Sequence, residues 1–305
     1  MKMSTREITI LKSKIRSDRS PKLKSGLLNT MGKLLRIPTA VFGFVVIIII
    51  IICAIFAPLI SPQSPTAQDA NASLAGPSKI HLLGADQLGR DTLSRIIYGS
   101  RVALIVSIGA VGLSTAIGAP IGLISAYSRG WVDEILMRVM DALISFPGLI
   151  IAMGLVAVLG ANLLNVIIAI AVGNVPWMAR VVRSQALSVR ERDFVAAARS
   201  AGATNNRVIA RHIWPNSLAP VIVQGTLGMA YAVLTEAALS FIGVGVPPPT
   251  PTWGNMLQFA FPFLDRTPLL SVAPGLAIFL MVLAFNFVGD GLRDILDPRL
   301  KVLFQ

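Results

Sequence analysis

The chain has 305 residues, 54% of them hydrophobic and only 14% charged. Its mean hydropathy is +0.72. That leaves too little charge for a soluble protein of this size, and the apolar residues fall in runs long enough to cross a bilayer. A net charge of +12 raises nucleic acid as a partner, but the positions of the charges decide against it.

The first 36 residues hold ten Lys and Arg and lack a short apolar core with a small-residue cleavage site, so they read as a basic tail rather than a cleaved leader. Their polar, Lys-rich composition favours disorder unless a partner holds them. We read residues 1–38 as a cytoplasmic tail and 39–60, "TAVFGFVVIIIIIICAIFAPLI", as the first span. The only cysteine, Cys53, lies in it and reads as a small buried hydrophobe, which leaves no disulfide or thiolate site. Residues 61–100 form an external segment, and Arg90, Asp91 and Arg95, with Arg101 at its border, put charge at the outer end of the second span. They read either as an interfacial element or as a contact with another protein.

Further spans are predicted at 101–127, 141–160, 162–180, 219–245 and 269–290, making six in all. Gly109, Gly112, Gly118, Pro120, Pro147, Pro176 and Pro274 are breakers in water that lipid tolerates at kinks and close helix contacts. Arg138 and Asp141 have the spacing of an ion pair on one helix. With the N-terminus inside, 22 basic residues fall on the cytoplasmic side and five outside, a positive-inside distribution rather than a nucleic-acid patch.

Between the fourth and fifth spans lies a polar loop, 184–218, carrying "DFVAAARSAGATNNRVIARHIWPN". Ser188 and Glu191 have the spacing of a capping box, predicting a helix from Val189 to Ala201 with Phe194, Val195, Ala198 and Ala201 on one side. Gly202 supplies a left-handed cap. A second helix is predicted from Thr204, bearing Arg207 and Arg211 one turn apart, and stopping before Pro215. Such a knob can lie on anionic headgroups or dock a soluble partner.

Glu236 sits within the fifth span, where a carboxylate is costly and faces protein or a water-filled path. It is a candidate for the translocation path or gate, or for a structural partner. After it, Pro247, Pro248, Pro249 and Pro251 predict a rigid external loop, 246–268, with Trp253, Gly254 and Asn255 as an anchor or plug. Asp290, Arg293, Asp294, Asp297 and Arg299 predict a mixed-charge helix end tethering a cytoplasmic tail, 291–301. Residues 302–305, "VLFQ", look like the remnant of an engineered protease site. His81 and His212 have no partners at metal-ligand spacing, and no G-x-x-x-x-G-K-[ST] loop occurs, so neither a metal nor ATP is expected on this chain.

"AAARSAGATNNRVIARHIWP" resembles the EAA signature of permease subunits of binding-protein-dependent ABC importers, with Ala197, Ala198, Gly202 and Pro215 on matching positions. Ala196 stands in place of the signature glutamate, removing an ionic contact, and His212 and Trp214 replace the consensus Ile and Leu. "LGADQLGRDTLSRIIYGSRVAL", "MRVMDALISFPGLIIA", "EAALSFIGVGVPPPTPTWGNML" and "PGLAIFLMVLAFNFVGDGLRDILDPR" resemble, in order, the peptide/nickel branch, and the layout is similar to its C-type subunit.

The resemblance implies an all-α polytopic fold of six transmembrane helices of the type I importer kind, its five-helix transmembrane domain at 101–290. It implies a coupling loop acting through Ala197, Ala198, Gly202, Ala203, Asn205, Arg207, Arg211 and Pro215. The implied partners are a sister permease, two ATPase subunits that carry ATP and Mg, an extracytoplasmic substrate-binding protein and membrane lipids. The chain itself is then non-catalytic, in the bacterial cytoplasmic membrane with both termini inside, importing short peptides by alternating access. The same architecture can serve nickel, a glutathione-like thiol, an opine or an oligosaccharide. A non-transporting membrane scaffold is the reading from another class. A secondary transporter is disfavoured because Glu236 has no carboxylate cluster around it.

Overall fold

The computed structural model describes Gly32 and residues 34–128 and 130–296. The basic tail before Gly32, Arg129, the end of the C-terminal tail with Asp297 and Arg299, and the final VLFQ lie outside the described residues.

Helix α1, Pro38–Ile60, is apolar on every side, as a helix facing lipid must be. It packs closely at Gly43, where a Cβ would stand 2.7 Å from the Ala284 carbonyl oxygen. Residues 61–91 then fold back over the next helix with a single short 3₁₀ turn, Ala70–Ala72, capped by Asp69. Helix α2, Thr92–Ser128, begins before the predicted span and runs 37 residues. Helices α3, Trp131–Ile144, and α4, Gly148–Leu159, follow. Helix α5, Leu163–Arg190, starts at Asn162, whose side chain accepts from the Asn165 amide at 2.9 Å.

The centre of the fold is the packing of α2 on α5. At Gly118 a Cβ would meet the Val175 carbonyl at 2.8 Å, and at Gly122 the Ala179 carbonyl at 2.4 Å. These two glycines set the separation of the helices. Two serines in the middle of α2 are satisfied locally: the Ser107 and Ser114 hydroxyls donate to Leu104 and Val111 carbonyls at 3.1 and 3.0 Å.

The third predicted span is corrected. It is two helices, α3 and α4, meeting at 88° across residues 145–147. Pro147 has no amide proton and pushes Phe146 out of helical geometry, so the chain turns sharply where a single span with a kink was expected. Among the described residues, five helices are long and apolar enough to span a membrane, and six when this bent pair counts as one.

Beyond α5 come α6, Asp193–Ser200, and α7, Asn205–Val208, a wide π turn, Ile209–Ile213, and α8, Trp214–Ile242. Gly243, at φ +91°, caps α8 in the left-handed conformation. A short buried helix, α9, Trp253–Ala260, and the long α10, Leu269–Leu296, complete the fold. Helix α9 starts with a reciprocal cap between Thr252 and Asn255.

Candidate functional site

Three parts of the molecule carry candidate functional residues: the loop after α5, the segment 61–91 with α9, and a cleft at the bend between α3 and α4.

In the loop, α5 does not end at Ser188. Its apolar stripe continues through Ala186 and Val189, which pack with Ala126, Val195, Val208 and Ile213, and the helix runs on to Arg190. The Arg190 guanidinium donates to the Ala126 carbonyl, holding this last turn against the end of α2. The predicted capping box is therefore absent: Ser188 lies inside α5, and α6 begins at Asp193 after Arg192, which makes no side-chain cap. Because α6 ends at Ser200, only Val195 of the predicted face is fully buried, while Phe194 and Ala201 are exposed.

Gly202 has φ +82° with open space around it, so it turns the chain where a Cβ would be strained. The second helix does not stop before Pro215. It passes through the π turn into α8, where the Trp214 amide reaches the Ile209 carbonyl. The wider turn accommodates the proline, whose missing donor and ring would break a regular helix. Ala197, Gly202, Asn205, Arg207, Arg211 and Pro215 are exposed, and Ala198 and Ala203 half-buried. Asn205 accepts from the Tyr127 hydroxyl, and Arg199 lies over the Tyr127 ring at 5.5 Å.

The charged cluster before α2 is internal. Arg90 is 4% exposed and donates to Asp86 at 2.7 Å; Asp91, fully buried, meets His81 at 3.1 Å and accepts from the Ser94 hydroxyl at 2.7 Å. Arg95, 2% exposed, reaches the Pro65 carbonyl at 3.2 Å and Asn255 at 3.4 Å. Arg101 donates to the Ala54 carbonyl at 2.5 Å. The expected outward contact is thus corrected for Arg90, Asp91 and Arg95. At that burial they present almost no surface to another protein and instead fasten the segment 61–91 to α2 and α9, since buried charges require such partners.

Trp253 is buried rather than anchored at an interface, its indole donating to the Ile96 carbonyl at 3.0 Å above Gly99. Glu236 is 2% exposed and accepts from Ser240 at 2.7 Å; the same hydroxyl receives the Val246 amide. Glu236, Trp253 and Asn255 form one buried neighbourhood around the start of α9, where Gly254 would press a Cβ to 2.4 Å from the Ala237 carbonyl. Among the described residues, no three His, Cys, Asp or Glu side chains gather as a metal group.

None of those three residues lines the cleft of about 410 Å³ that opens where α3 and α4 part. Its walls are Leu143, Ile144, Phe146, Pro147, Gly148 and Ile151 from the bend, Gly173, Asn174 and Trp177 from α5, and Gln224, Leu227, Gly228 and Tyr231 from α8. Sequence reasoning missed Asn174 and Gln224, although each is an amide interrupting an apolar run.

Two acidic residues of α3, Asp133 and Asp141, pair across helices. Asp133 accepts from Arg183 at 2.7 and 2.6 Å and from the Ser125 hydroxyl. Asp141 meets Arg180 at 2.5 Å rather than the expected Arg138, which lies 3.8 Å from Glu134. The tertiary partner on α5 prevails over the neighbour on the same helix, whose pairing is weak in any case.

Residues 118–302 match the family described as binding-protein-dependent transport system inner membrane component, and residues 29–77 match the N-terminal TM domain of oligopeptide transport permease C. The chain is 45% identical over 262 residues to the dipeptide transport system permease protein DppC of Alkalihalophilus pseudofirmus, covering 86% of each. It is 42% identical over 256 residues to the glutathione transport system permease protein GsiD of Escherichia coli O6:K15:H31, covering 84% of each. A chain of the inward-facing MetNI methionine ABC transporter shares the fold with a TM-score of 0.57 at 17% identity, over 67% of this chain and 97% of that one. The match over residues 118–302 runs through the bent pair, the polar loop and the buried α9. The chain belongs to the inner membrane components of binding-protein-dependent transport systems, as a permease of the ABC importer type with the type I fold.

Proposed function

We propose that this permease imports short peptides by alternating access, driven by a separate ATPase that docks on the loop from Asp193 to Ile213. The observation that carries the coupling is the loop's mounting. It is exposed on one side, while Val195, Val208 and Ile213 tie its other side to the ends of α2 and α5. A displacement of the loop therefore moves spans that wall the cleft.

Ala197, Ala198, Gly202, Ala203, Asn205, Arg207, Arg211 and Pro215 form the docking face in this reading. ATP and Mg belong to two ATPase subunits, and the chain performs no chemistry itself. A sister permease completes the pore and a substrate-binding protein delivers cargo from outside. The loop and both termini are cytoplasmic, with residues 61–91 and 244–268 external. Glu236, Trp253 and Asn255 serve as the outer closure, since they lock α8, α9 and the external turn together. Peptide as cargo is supported by the relatives' names, the dipeptide permease DppC first. The glutathione permease GsiD supports a peptide-like thiol as the neighbouring alternative.

The test is co-purification of the chain with its candidate partner subunits, together with a Gly202→Val, Arg207→Glu variant. Retention of a P-loop ATPase by the native chain and its loss in the variant is expected, with peptide-loaded binding protein stimulating ATP hydrolysis only in the native assembly. Equal retention in both would remove the loop from coupling. No ATPase in either would leave a membrane scaffold.

A further inference from the structure

The cleft at the α3–α4 bend has walls without charge, yet it is not inert. Asn174 is 8% exposed and its side-chain Nδ2 has no hydrogen-bond partner in the fold, although it lines the cleft. A buried donor left unpaired is costly and calls for a partner that is present only at times. Gln224 lies on the same walls, as does Tyr231, whose hydroxyl sits so near Gly148 that a Cβ there would stand 2.6 Å away. Phe146 and Trp177, each at least half exposed, supply the apolar remainder. Two carboxamides, a hydroxyl and aromatic surface therefore share one space of about 410 Å³, within the range of sites that hold small molecules.

We infer that this cleft is a transient subsite for the main-chain amide groups of a peptide in transit, with Asn174 and Gln224 as its hydrogen-bonding residues. The inference rests on the import reading above and adds the residues and the chemistry of recognition. A peptide unit offers one N–H donor and one carbonyl acceptor whatever its side chains, and a carboxamide offers the complementary pair. Such a wall compensates the peptide backbone for lost water while remaining indifferent to side-chain charge. With no fixed charge, it also lacks the field that would hold an ionic terminus, so the cargo is released, as conduction through a path requires.

The test uses the assembled importer in liposomes with its binding protein and ATPase, given Ala-Ala-Ala, Ala-Asp-Ala and Ala-Lys-Ala. Asn174→Asp and Gln224→Glu each place a carboxylate in the cleft. Uptake by each variant is divided by native uptake of the same peptide, so that the binding protein's preferences cancel. The ratio for Ala-Asp-Ala is expected to fall about tenfold below that for Ala-Lys-Ala, because like charges brought together oppose each other. The ATPase and the sister subunit should both remain bound to each variant. Equal ratios for the three peptides, in variants that keep both subunits, would overturn the subsite. Loss of the sister subunit from both variants would also overturn it, by making the cleft a subunit interface. Absence of peptide uptake by the native importer would instead bring down the import reading on which the subsite stands.

Discussion

Asp133 accepts both prongs of Arg183 and a serine hydroxyl, with the two charged side chains 21% and 31% exposed. Hydrogen bonds to charged groups in such surroundings are among the stronger ones. Asp133→Ala is expected to destabilise the chain by about 1–3 kcal/mol. Glu134→Ala removes a partner at 3.8 Å between side chains that are 73% and 78% exposed, and should change stability by less than about 0.5 kcal/mol. Thermal unfolding of the purified variants in detergent distinguishes the two. At Gly202 the strain is backbone rather than packing. Gly202→Val should cost about 1–2 kcal/mol locally, and Gly202→Asn less, because asparagine tolerates the left-handed region. ATPase retention should fall in that same order, measured as the amount of ATPase that co-purifies. Gly202 was legible in the sequence because its conformation is a local property. The partners of Asp133 and Asp141 were not, since they lie 50 and 39 residues away and no spacing rule reaches that far. Asn174 and Gln224 escaped notice for another reason: neutral amides give no charge signal, and only their break in an apolar run marks them.

Among elements, the glycines of α2 separate into those that hold the fold together and those that do not. Gly122 leaves no room, whereas at Gly112 a Cβ would have nothing within 4 Å. Gly122→Val should therefore drive α2 from α5 and cost about 1–3 kcal/mol or more, while Gly112→Ala leaves stability unchanged or slightly higher. The unfolding midpoint of each variant checks this. Spans were readable from hydropathy because lipid forces every backbone group into a helix. The bend after Ile144 was not, because Pro147 alone does not say whether a helix kinks or turns through a right angle. The end of α5 was misjudged for a related reason. A capping spacing at Ser188 is a local preference, and burial of Val189 overrode it, a contact worth about 1.5–3 kcal/mol for a fully buried side chain of its kind.

At the level of the whole molecule, the proposed sidedness makes a direct prediction. The chain has one cysteine, Cys53, so a Cys53→Ser background accepts single reporters. Arg207→Cys should react with a membrane-impermeant maleimide only when the cytoplasmic face is accessible, as in inverted vesicles. Pro249→Cys should react only from the other side. The reverse pattern would invert the topology and remove the loop from the ATPase compartment.

The helical path Asn205–Ile242 is continuous over 38 residues, through the π turn. Arg207 and Gln224 belong to a single rod, about 25 Å apart at 1.5 Å per residue, so they have no freedom to move one after the other. What the π turn fixes is their rotational phase, because a π turn holds one residue more than a regular turn. Deleting Ala210 would close the π turn to an ordinary one and leave the phase beyond it nearly as it is, whereas regular helix through all five residues would swing everything beyond it by about 100°. Gln224 and Tyr231 would then leave the cleft while the loop kept its shape, and the rod would still transmit motion, but to the wrong side of the helix.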